Sequence, residues 1–260
     1  MTETPLDTAK TAMDADPGNE PARLRFYERL ADAELFMLLE GEAEGDHVRP
    51  QVFPVEDQRF VLLFDREERL TRFAQGPADY AGMSGRKAVE MLSTQGLGIG
   101  LNLDVAPSSL LLPAEAVAWL AGTLIGTAEE VDDHPEEVTA PVGLPEAVLT
   151  ALDAKLSLAG GLAKFVYLAG VTYRGGLKTH ILAFVDAHPG AEPALVAAVR
   201  EALVFSGVEA GELDVAFFRS SESMAALLAR HGLRFDLPEP AKAPAREAPG
   251  MDPEKPPVLR

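Results

Sequence analysis

Hydrolytic, redox and metal chemistry draws first on cysteines, histidines and converging carboxylates. The 260-residue chain has no cysteine and five histidines. Thiolate metal centres, disulfides and cysteine nucleophiles are therefore excluded. His47, His134, His180, His188 and His231 stand apart, none at i+2, i+3 or i+4 from another, so no local zinc module is written in the sequence. His134 falls in an acidic run, His188 precedes Pro189, and His231 closes an expected helix, where positive charge suits the dipole. No Gly-x-Ser-x-Gly elbow is present. The patterns assign no catalytic residue, no metal ligand and no cofactor.

Two clusters are left to weigh. Glu40, Glu42, Glu44 and Asp46 crowd one loop with Gly41 and Gly45. They imitate the start of a calcium loop, but the twelfth position is Gln51 where a bidentate Glu is needed, and the flanks read as strands. The loop is better suited to meeting a basic protein surface, and those four acids are the expected partner contacts. Arg86 and Lys87 fall in the first turn of an expected helix, against its dipole. They are the expected anion contact, with Asp79 or Glu90 as the competing internal partner. Gly96-Leu97-Gly98-Ile99-Gly100 enters a strand from a helix, the reverse of a dinucleotide fingerprint, so these glycines are assigned to close backbone packing. Trp119 lies on a helical apolar face and is expected in the core.

The elements that carry these residues follow from periodicity and turn chemistry. Helical spacing appears at Leu6–Met13 and, after Pro21, at Leu24, Tyr27 and Leu30. Apolar runs at 35–39, 51–55 and 59–64 read as strands. Asp65 is placed to cap a helix through Phe73, and Ser84 to cap one carrying Val89 and Leu92. Strands at 97–101 and 109–112 precede a helix over 115–124. Further on, Leu144, Val148, Leu152 and Leu156 stripe a helix, and strands at 165–173 and 179–185 flank Gly175-Gly176. A helix carrying Leu195, Val199 and Leu203, a strand 213–218, a helix 222–231 and an edge strand 233–235 complete the pattern. The expectation is an α+β fold of two domains, each a small mixed or antiparallel sheet packed with helices, which in the second domain lie on one face.

Composition adds boundaries and partners. The net charge is −18, a field that repels phosphate backbones and disfavours nucleic acid. No signal peptide or membrane-length apolar stretch is visible, so a cytoplasmic address without membrane contact is expected. Residues 127–141 are acidic and contain proline, and read as an extended linker. Residues 238–260 hold seven prolines and few large apolar side chains, and read as a disordered tail. The expected domains are thus 1–126 and 142–237.

The stretches Leu35–Glu40, Gln51–Asp65, Gly98–Asn102 and Ser108–Pro113 together resemble the N-terminal domain of the enhanced serine sensitivity (SseB-like) family of bacterial proteins. Segments 144–173 and 178–236 are similar to that family's C-terminal domain in element order. Many members carry Asn-Pro after the glycine-rich strand, whereas Leu103 follows Asn102 here. The resemblance implies a non-enzymatic regulatory or protein-interaction role and supplies no catalytic residue. The alternative is an acid–base or metal-dependent enzyme whose carboxylates converge only on folding.

Overall fold

The computed structural model describes residues 3–41, 48–125, 135–207 and 213–238. The fold is α+β, with one sheet and one set of helices in each half. Helix α1 (Pro5–Ala15) opens at a capping box: Thr4 accepts from the Asp7 N–H, and the Asp7 carboxylate accepts from the Thr4 N–H. Asn19 caps α2 (Glu20–Asp32). Strands β1 (Glu34–Leu38), β2 (Val52–Val55) and β3 (Gln58–Phe64) follow, then α3 (Glu67–Ala74), β4 (Tyr80–Ser84), α4 (Gly85–Thr94), β5 (Gly98–Leu101), β6 (Leu110–Leu112) and α5 (Ala114–Ile125). The sheet order is β4-β1-β3-β5-β6, with β2 on β3; only the β3–β5 pair is parallel. Leu35, Met37, Val61, Leu63 and Ile99 face a core closed by α1, α2, α4 and α5, while α3 covers Leu38, Leu62 and Phe64 on the other face. Gly98 has its packing reason: a Cβ there would stand 2.6 Å from the Leu112 carbonyl oxygen and from the Phe60 ring.

The second half contains β7 (Glu137–Thr139), α6 (Glu146–Leu156), β8 (Phe165–Thr172), β9 (Lys178–Val185), α7 (Glu192–Ser206), β10 (Leu213–Phe218), α8 (Ser223–His231) and β11 (Leu233–Phe235). The sheet order is β10-β9-β8-β11, with β7 also on β8, and β9–β10 is its parallel pair. Helices α6 and α7 cover one face, and Ala225 and Leu228 of α8 cover the other.

Four expectations need correcting. Helices lie on both faces of the second sheet, because its central strands bury both sets of alternating side chains. The run 127–141 is not all linker: Val138 and Thr139, a β-branched pair, register on Val171 and Gly170 at an edge of β8. Asp65 does not cap α3. Arg66 is the N-cap, without a side-chain cap bond, and Asp65 is drawn instead to Arg69 one turn on. Trp119 is 45% exposed, lying against the Tyr27 ring at 5.2 Å between centroids. The expected tail lies outside the described residues beyond Pro238, as do residues 127–134 of the expected linker.

The halves are packed together along α7. Phe205, near its end, is buried in the first core, and the Arg200 guanidinium donates to the Thr123 carbonyl of α5. Gly207 ends the helix at φ 67°, where a Cβ would come 2.9 Å from Pro21 Cα. A side chain there would force α2 and α7 apart.

Candidate functional site

Carboxylates do converge on folding, and each convergence closes around a cation. In the first, Arg69 of α3 is buried with Asp7 of α1 and Asp65 at the end of β3. Its Nη1 donates to Asp7 Oδ1 at 3.0 Å and to Asp65 Oδ1 at 2.9 Å, and its Nη2 donates to Asp7 Oδ2. Ser108 Oγ donates to Asp7 Oδ1 at 2.6 Å and accepts from Asn102 Nδ2 at 2.8 Å. Asn102 Oδ1 accepts from the Asp65 N–H, and Thr4 Oγ1 donates to Asp65 Oδ2 at 2.6 Å. Burial pushes the Asp7 carboxyl up, but the bonds from Arg69, Ser108 and the Thr4 backbone hold it well below the usual carboxylate range. Asn102, at φ 45° and fully buried, holds β5 to the corner after β3.

The second convergence spans the two halves. Lys155 of α6 points its ammonium at Asp32 (2.7 Å), Glu201 (3.3 Å) and Glu28 (3.5 Å). Arg86 of α4 forks onto Glu201 at 2.5 and 2.9 Å and reaches Asp32 at 3.3 Å. Lys155, Glu28 and Glu201 are buried, and Arg86 is half exposed. Burial raises Glu28 above its ordinary value against the pull of Lys155. The hydrogen bond to Glu201 raises Arg86 further.

Between these clusters opens a cleft of about 610 Å³. Its walls are the start of α1 (Thr4, Pro5, Leu6), the end of α2 with Phe36 of β1, the corner Asp65–Glu68, and Leu158 from the second half. Five carboxylates line it (Asp32, Glu34, Asp65, Glu67, Glu68) against the guanidiniums of Arg29 and Arg66. Asp32 and Asp65 are compensated from behind by Lys155 and Arg69, which leaves Glu34, Glu67 and Glu68 exposed at the rim. The volume falls within the ordinary range of ligand-sized clefts.

Residues 8–119 match the family model for the SseB protein N-terminal domain. Over this stretch the chain is similar to the SseB N-terminal domain. No curated protein and no solved structure matches the chain. The matched stretch holds the whole Asp65–Arg69–Asn102–Ser108 set, and it begins one residue after Asp7.

The residues singled out in the sequence fare differently. Glu40 is exposed at the end of β1, its N–H bonded to the Arg49 carbonyl; Glu42, Glu44 and Asp46 lie outside the described residues. Arg86 and Lys87 face anions of the protein itself: Glu201 and Asp32 for the first, Glu90 for the second. His180 contacts the Val142 carbonyl and His188 the Pro189 carbonyl. His47 and His134 lie outside the described residues, among which no three His, Asp or Glu are grouped to hold a metal ion. The junction cluster was missed, although a signal existed. Glu28 lies four residues after Leu24 and Lys155 three after Leu152, so both charges fall on buried helical stripes.

Proposed function

We propose that this protein is a non-enzymatic regulatory protein that acts by binding a basic protein partner. The observation that carries the reading is the cleft between the halves, with an acidic rim of Glu34, Glu67 and Glu68 and apolar patches at Phe36 and Leu158. Leu158 is 63% exposed, and an apolar contact ringed by charge is the usual anatomy of a protein interface. The net charge of −18 adds a long-range field that would draw in a basic surface. Glu40, just past β1, and Glu34 at the rim stand about 20 Å apart at the rise of a strand. One interface of ordinary size covers both.

Support also comes from what the buried carboxylates do. Asp7 and Asp65 are engaged by Arg69, and Asp32 and Glu201 by Lys155 and Arg86. Glu28 has its proton affinity raised, as a general acid would, but does not line the cleft. Photo-crosslinking from position 158 in bacterial cells tests the proposal, with position 227, exposed on α8, as control. A basic protein trapped at 158, not at 227, and lost when Glu34, Glu67 and Glu68 become Lys is the expected result. Equal capture at both positions, or none at 158, would overturn it.

A further inference from the structure

The junction cluster holds three carboxylates and two cations: Glu28 and Asp32 of α2 and Glu201 of α7 against Lys155 of α6 and Arg86 of α4. Arg86 is half exposed and exchanges part of its interaction with water, so the buried part of the cluster is richer still in negative charge. Asp32 and Glu201 each touch both cations. Glu28 has only the longest of the Lys155 contacts, at 3.5 Å, while the neighbouring Asp32 repels it and Arg29 attracts it. Uncompensated charge in a buried place is costly, and the cost falls where α2 meets α7.

We propose that this cluster is an acid-tightened latch between the two domains: the surplus carboxylate loosens their docking at neutral pH, and proton uptake by Glu28 closes it. When the domains part, Glu28 returns to water and to an ordinary carboxyl value of 4.5. Docked, burial raises it against Lys155 and Arg29, so the docked form binds the proton first. Docking therefore strengthens as pH falls through the raised value, and the gain is complete below 4.5. Leu158 lies three residues after Lys155 and lines the cleft, so the latch also sets how firmly that wall is held. The inference stands on the cluster itself and does not depend on what the cleft binds.

Hydrogen exchange on the full chain tests it, comparing amides of α7 with amides of β9 as an internal reference. Wild-type α7 is expected to gain several-fold protection relative to β9 as pH falls from about 7.5 to below 4.5. Glu28→Gln keeps the shape and an acceptor for Lys155 without the charge. It is expected to show the tightened protection already at neutral pH, with the pH dependence flattened. Lys155→Met leaves three carboxylates facing one another and is expected to lose α7 protection; should it fail to fold, Glu28→Gln decides alone. Wild-type pH dependence in Glu28→Gln, or weaker protection than wild type at neutral pH, would overturn the latch.

Discussion

The Asp7 carboxylate in the first helix and the Arg69 guanidinium in the third face each other as a buried pair, with Nη1 to Oδ1 at 3.0 Å. Asp7 simultaneously completes the capping box of α1 and accepts from the Ser108 hydroxyl and N–H. One side chain thus caps the start of a helix, anchors a second and fixes the loop after β5.

Replacing Arg69 with Met leaves Asp7 and Asp65 buried without their cation and is expected to cost about 3–5 kcal/mol in chemical denaturation. The pH dependence has a definite sign. Asp7 lies below its ordinary value of 3.8, so its contribution is fully present above that value and fades as pH falls below it. Asp7→Asn should therefore destabilise the protein at neutral pH and narrow its gap to wild type in strong acid. A gap that stays constant down to strong acid would contradict this role.

Ser108→Ala removes the hydroxyl that joins Asp7 to Asn102. With both partners buried, the expected loss is about 1–3 kcal/mol. A variant as stable as wild type would mean that the Asn102 corner does not depend on Ser108.

Gly98→Ala places a methyl group against the Leu112 carbonyl and the Phe60 ring. Overpacking of this kind is expected to cost about 1–3 kcal/mol, read as a lower denaturation midpoint with unchanged slope. An unaffected midpoint would show that β5 and β6 can separate to admit a side chain.

Trp119 is the one tryptophan of the chain and is 45% exposed. Its emission is expected to be red-shifted from that of a buried indole and readily quenched by acrylamide in the native state. A blue-shifted, quencher-resistant spectrum would contradict the placement of α5.

Periodicity located most helices and strands because each buries one stripe or one face, and that pattern is local in the sequence. The Gly175–Gly176 hairpin and the Ser84 cap were legible for the same reason. Strand β4 was not, since Tyr80–Ser84 buries no residue deeply and owes its form to pairing with β1. The direction of β10 depends on its crossover and has no local mark. The acidic composition hid the site: with so many carboxylates, nothing distinguishes Asp7 or Glu201 until the chain brings Arg69 or Lys155 beside them. Arg86 is a misfit to its helix dipole, and the partner that explains it, Glu201, lies 115 residues away.

The acidic rim of Glu34, Glu67 and Glu68 is the proposed docking place of a basic protein. The most direct measurement is the association rate at low salt of the partner trapped at position 158, compared between wild type and the Glu34, Glu67 and Glu68→Lys variant. These three side chains are exposed, so the fold should be preserved. Association should slow several-fold, and the difference should shrink as salt is added. An unchanged association rate at low salt would contradict the proposal.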